Sequence, residues 1–212
     1  VNTLWEKAVN TLLICMRDTY MDCPERERSP YIGDAANQIS ETFYALDGSS
    51  WAMTKKTLLN IIGWTKTDGC IPLRSPSEVT NECPAQTLNF LVSAYEYYLY
   101  TGDSETMEKF YPVAVDYLKL WELEEDGSIV YRNGTFQWVD WGSGQDNEVI
   151  QNCWYYYALD CTHKLALGLG IDTDEQFFTQ RLASVKAGFD KFRTESGFTS
   201  GTSYDDRANA MA

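Results

Sequence analysis

Between Asp22 and Asp34 the chain reads Asp-Cys-Pro-Glu-Arg-Glu-Arg-Ser-Pro-Tyr-Ile-Gly-Asp, four carboxylates and two guanidiniums between two prolines and a glycine. Carboxylates set among cations are the raw material of acid–base chemistry. Neighbouring arginines keep some of them ionised, whereas a desolvated one holds its proton longer. Pro24 and Pro30 lack backbone donors and bias the residues before them away from helix, so the stretch reads as a rigid loop able to aim Asp22, Glu27 and Asp34 into one cavity. A second cluster, Trp138-Val139-Asp140-Trp141, would offer a sugar stacking faces and an acceptor for its hydroxyls. Each group also has a plainer reading: Glu-Arg-Glu-Arg as a solvated face, Asp34 as a helix N-cap, the two tryptophans as core.

Helices must carry these loops. Trp5, Ala8, Val9, Leu12, Cys15 and Met16 recur at helical spacing, which predicts an amphipathic helix over about 3–20 leading into the first loop. A second helix is expected from Asp34 to Gly48, a third from Ser50 to about Trp64, and a fourth from Pro84 to Gly102. The long loop from Lys66 to Cys83 reads as one wall of a cleft. Asp103 opens a fifth helix, in which Pro112 should cause a kink or a restart. From Ser128 to Trp138 the pattern alternates about Asn133-Gly134, predicting a small β-hairpin inserted between helices. Asn147 to Leu167 is apolar nearly all round, as a helix buried on two sides would be. Thr173-Asp174-Glu175-Gln176 reads as a capping box for a helix ending by Gly197, and a last helix starts near Tyr204.

Composition narrows the function. The 212 residues are 44% hydrophobic and 14% aromatic, enough for a sizeable core in one domain. A formal charge of -14 with no basic cluster repels phosphate backbones and anionic lipid, which argues against nucleic acid as a partner. No apolar run approaches a membrane span. The six cysteines lack the close pairs of zinc sites, and the lone His163 has no partner at ligand spacing, so neither a metal nor another cofactor is expected. Cys70 and Cys83 flank one loop and could pair in an oxidising compartment; Cys153 and Cys161, on one predicted helix, cannot.

The pattern D-C-P-x-R-E-R followed by an aromatic-containing turn and G-D-A resembles the signature of the inverting α-L-rhamnosidases of glycoside hydrolase family 78. The W-x-D-W segment and the final D-D-R-A-N-A stretch are similar to that family as well, so the likeness runs over almost the whole chain. The resemblance implies an all-α (α/α)6 barrel, or toroid, of which residues 1–212 are the N-terminal part. It implies a carbohydrate substrate and an extracytoplasmic, periplasmic or secreted, enzyme. Carried over residue by residue, Glu27 matches the general acid; Asp22, Arg26 and Asp34 match residues holding the rhamnose hydroxyls; and Trp138, Asp140 and Trp141 match the pocket lining. Tyr31 stands where the family often has tryptophan. The family's general base lies beyond a segment resembling Asp205 to Ala212. A whole barrel needs about twelve helices and on the order of 300 residues, so the chain alone is expected to be inactive and to self-associate through uncovered inner-helix surface. The competing readings are another (α/α)6 glycosidase or lyase, or a non-catalytic helical module binding carbohydrate or protein.

Overall fold

Helix formation follows the apolar spacing in the computed structural model, which describes residues 1–77 and 81–212. Among the described residues eight α-helices succeed one another: α1 (Asn2–Cys15), α2 (Ile32–Ala45), α3 (Trp51–Trp64), α4 (Pro84–Thr101), α5 (Ser104–Lys119), α6 (Asn147–Leu169), α7 (Glu175–Gly188) and α8 (Asp206–Met211). Local chemistry sets several ends. Pro84 sits in the first turn of α4, whose last turn closes on left-handed Gly102. The carboxylates of Asp103 and Asp146 accept N–H groups of the first turns of α5 and α6, satisfying donors that a helix start otherwise leaves open. Pro112 is accommodated inside a single α5.

Packing sorts the helices into two rows. α2 lies against α4, α4 against α6 and α6 against α8, while α3 lies against α5; α1 packs on α2 and α7 on α6. Even-numbered helices thus form an inner row and odd-numbered ones an outer row, the alternation of an (α/α)6 toroid. Leu88 and Phe90 of α4, Phe110 and Leu118 of α5, Tyr155 and Leu159 of α6 and Phe178 of α7 are all essentially inaccessible in one shared core. Each such side chain contributes about 1.5–3 kcal/mol of apolar transfer on burial. α6 touches α4, α5, α7 and α8, so it is packed on more than one side, as its all-round apolar pattern requires. His163 closes the joint with α7 by stacking on Phe178 and meeting Glu175 at 2.7 Å.

Several expectations are corrected. The hairpin about Asn133-Gly134 is not formed: among the described residues no sheet is present, and the nearest pairing is an isolated bridge between Leu123 and Ile129. Partners from other elements claim the backbone instead. Gln151 of α6 brackets Arg132, accepting its N–H and donating to its carbonyl, and the N–H groups of Thr135 and Phe136 reach the Glu82 carbonyl. Gly134, at φ +57°, lies so close to Pro84 that a Cβ would be 2.7 Å from its ring, so its turn serves close approach. Asp34 is not the N-cap of α2; Tyr31 is, and Asp34 falls in the first turn. Gly48 does not end α2 either, because Asp47 caps a 3-10 turn at Gly48–Ser50 that redirects the chain. No capping box precedes α7, since the Asp174 carboxylate is taken by Tyr111 (3.0 Å) and Lys119 (2.7 Å). α7 stops at Gly188, followed by a 3-10 turn, and α1 stops at Cys15. All six cysteines are free: the Cys70 thiol faces Glu82 and Arg132, and that of Cys83 donates to the Trp138 carbonyl. Of the expected 66–83 loop, residues 78–80 lie outside the described residues.

Candidate active site

The inner helices present their N-terminal turns to one cleft of about 510 Å³. Gly33, Asp34 and Asn37 come from α2, Ala85, Gln86 and Asn89 from α4, Ile150 and Trp154 from α6, and Arg207 from α8. Trp138, Val139 and Asp140 complete the wall. Helix starts carry unpaired N–H groups and partial positive charge, so anionic and hydroxyl acceptors are favoured there.

The acid-rich loop beside α2 is closed by two bonds between its ends: Asp22 Oδ1 accepts the Ser29 N–H at 2.8 Å and Asp22 N–H donates to the Ser29 carbonyl at 3.1 Å. Arg28 pays for this closure with a left-handed φ of +49°, a strained state for a non-glycine residue. Leu73 to Ser75 brace the loop from outside. Ile32 N–H donates to the Leu73 carbonyl, and Arg74 reaches Ser29 Oγ while its guanidinium lies 5.3 Å over the Tyr31 ring. Tyr31 is therefore engaged by Arg74 and does not line the cleft.

Glu27 sits between a thiol and a guanidinium. Arg26 Nη2 is 2.6 Å from Oε1, and Cys23 Sγ donates to Oε2 at 3.2 Å. The Arg26 hydrogen bond first, then that of Cys23, lowers the Glu27 pKa to about 2. Glu27 is held in an ion pair by Arg26, which is 81% exposed and does not line the cleft. Asp34 behaves oppositely. Burial, and then the charges of Asp22, Glu27 and Asp140, push its pKa up. Those four carboxylates therefore share one electrostatic neighbourhood, although only Asp34 and Asp140 line the cleft itself. Asp22, Cys23 and Glu27 bring ligand atoms within 4.8 Å of one another. Ser29 and Arg26 already occupy the two carboxylates, and a guanidinium on Glu27 opposes a cation there.

Trp138 and Asp140 line the cleft. Trp141 is 78% exposed, stands edge-on to Trp138 at 4.7 Å and borders an adjoining groove of about 310 Å³. Asp140 holds a φ of +98°, fixed by the Trp141 N–H on its carboxylate and the Gln145 amide on its carbonyl. Sequence reasoning overlooked Asn37, Gln86, Asn89, Trp154 and Arg207. The first three are amides on inner-helix faces; Asn37 lies one turn beyond Asp34, and that spacing was the available signal. Arg207 donates to the Trp141 carbonyl and, through Nε, to Asp205, which in turn accepts the Asp146 N–H. It thereby ties α8 to the tryptophan loop and the start of α6.

A family model described as the bacterial α-L-rhamnosidase six-hairpin glycosidase domain matches residues 1–212. Among solved structures, the chain is similar to a family 78 rhamnosidase of Bacillus sp. GL1, with a TM-score of 0.82 at 20% identity over 92% of this chain and 21% of that one. An α-L-rhamnosidase from Dictyoglomus thermophilum gives 0.76 at 20% identity, over 92% and 23% of the two chains. A Klebsiella oxytoca rhamnosidase with rhamnose bound gives 0.77 at 18% identity, over 93% and 41%. These likenesses establish the fold, and the chain spans less than half the length of each protein. No curated protein matches it in sequence.

Proposed function

Because the chain belongs to the bacterial α-L-rhamnosidase six-hairpin glycosidase family, we propose that it is part of the catalytic domain of an inverting hydrolase that releases terminal α-L-rhamnose from glycans or glycosides. The observation that carries this reading is the meeting of Asp34, Asp140 and Trp138 at the inner-helix N-termini, within electrostatic reach of Asp22 and Glu27. In a relative, rhamnose is bound; a cleft of about 510 Å³ has ample room for one such ring. Asp22, Arg26, Asp34 and Asp140 hold hydroxyls, and Trp138 and Trp141 give apolar ring faces. Glu27 donates the proton to the departing oxygen. Inversion needs a second carboxylate about 6.5–9.5 Å from the acid to activate water, and we assign that base to residues outside 1–212. No metal enters the scheme, and the extracytoplasmic setting is part of the same reading.

The free site holds Glu27 ionised, so its role as acid requires substrate to displace Arg26 and desolvate the carboxyl. The raised pKa of Asp34 favours a second reading, in which Asp34 is the acid and Glu27 binds sugar. The parent enzyme decides between them. Glu27→Gln should sharply reduce hydrolysis of α-L-rhamnosides with poor leaving groups and spare activated aryl ones, while Asp34→Asn should weaken both. The reverse pattern transfers the acid to Asp34. Failure of the parent to hydrolyse any α-L-rhamnoside overturns the assignment.

A further inference from the structure

A second cavity, about 490 Å³, shares no lining residue with the first and is lined by Lys66, Cys70, Glu82, Trp121, Arg132 and Thr135 among others. Its centre is an ion pair between buried Glu82 and half-buried Arg132 that the acid-loop chemistry does not use. Glu82 is 4% exposed, and its carboxylate accepts Arg132 Nε at 2.7 Å, Arg132 Nη2 at 3.1 Å and the Tyr117 hydroxyl at 2.9 Å. Such a forked, charge-assisted contact fixes geometry as well as distance. A largely buried pair of this kind is a poor device for raising stability, because desolvation offsets most of its attraction. Its arrangement here gives it another use.

The two residues and their neighbours also hold the segment that carries Trp138. The Glu82 N–H donates to Thr135 Oγ1, the Glu82 carbonyl accepts the N–H groups of Thr135 and Phe136, and the next residue's thiol donates to the Trp138 carbonyl. Arg132 begins the same segment; its Nη1 reaches the Leu120 carbonyl at the end of α5, and its backbone is gripped by Gln151 of α6. Directly after Glu82 and Cys83, Pro84 starts α4, whose first two turns supply Ala85, Gln86 and Asn89 to the cleft. We infer that Glu82 and Arg132 are positioning residues that set the spacing between the Trp138–Asp140 wall and the α4 wall, and so govern how tightly the cleft holds its sugar. This inference rests on the proposed rhamnosidase reading for its catalytic consequence only. The clamp can be tested without it.

The full-length parent enzyme is the test object. Glu82→Gln keeps shape but cannot accept the guanidinium fork on two anionic oxygens; Thr135→Val, at an exposed position, removes one strut with little risk to folding. Val185→Ala, a truncation in the buried face of α7 that touches neither Glu82 nor Thr135 by hydrogen bond, serves as a control for general destabilisation. Amide exchange of peptides covering 133–139 should be about tenfold faster in Glu82→Gln, and faster by less in Thr135→Val, than in the control. The KM for an aryl α-L-rhamnoside should rise about tenfold in Glu82→Gln with kcat changed far less, since ground-state contacts are the ones loosened. Exchange and KM matching the Val185→Ala control in both variants would overturn the clamp. Should the parent hydrolyse no α-L-rhamnoside, the proposed function fails and exchange alone decides the clamp.

Discussion

Arg26→Gln should raise the Glu27 pKa, and the size of the rise follows from the loop. The Arg26 hydrogen bond is the largest of the influences that take this carboxyl from an ordinary 4.5 to about 2. Without it, the Cys23 thiol still donates to Oε2, so the new value should lie between those limits. Near pH 6 a pKa of 2 leaves about one Glu27 in 10⁴ protonated, and a pKa of 4.5 would leave about 3%. Removing one cation can therefore enrich the acid form by up to about 300-fold in the free protein. A carboxylate with a depressed folded pKa stabilises above its ordinary pKa and loses that effect as pH falls through the folded value. For so exposed a pair the effect on stability is screened, and titration is the informative measurement. Carbon-detected NMR of the labelled side-chain carboxyl, with and without saturating L-rhamnose, reads it directly. In the unsubstituted protein rhamnose should raise the pKa by drawing Arg26 away; in Arg26→Gln the sugar-free value should already be raised. A Glu27 titration near 2 in Arg26→Gln would refute the ion-pair account, and no response to sugar would remove the displacement step.

Asp146→Ala should cost about 2–4 kcal/mol in urea unfolding, because it removes an N-cap together with charge-assisted bonds from Ser200 N–H (2.6 Å), Ser200 Oγ (2.7 Å) and Thr199 Oγ1 (3.2 Å); a loss under about 1 kcal/mol would contradict that network. Tyr155→Phe should cost about 1–2 kcal/mol, since the buried Leu118 carbonyl loses its 2.9 Å hydroxyl donor, read as a lowered urea midpoint. Residues 1–212 alone should sediment as associated species, given exposed Tyr44, Leu99, Tyr100 and Tyr157 on inner helices, and should show negligible turnover of an aryl α-L-rhamnoside. A monomer with parent-like turnover would place the base within these residues.

What the sequence determined by itself is what near neighbours decide. Apolar spacing set which stretches are helical, because a face repeating every 3.6 residues must be buried. Pro84, Gly102 and Asp103 marked helix ends through chemistry confined to one turn. Two prolines made a rigid loop of the acidic motif, and its residue pattern carried the family. Where a local signal competed with distant partners, it lost. Asn133-Gly134 formed no hairpin because Gln151 and Glu82 took the backbone bonds its strands would have shared, and Asp174 capped nothing because Tyr111 and Lys119 held it. Tertiary structure alone also decided which carboxyl is ionised: Glu27 and Asp34 look alike in sequence, but one meets Arg26 at the surface and the other is buried among like charges. Gln86, Asn89 and Arg207 reached the cleft, and Glu82 met Arg132, only through the order in which α2, α4, α6 and α8 pack. Burial and long-range pairing depend on residues dozens of positions away, and no local period encodes them.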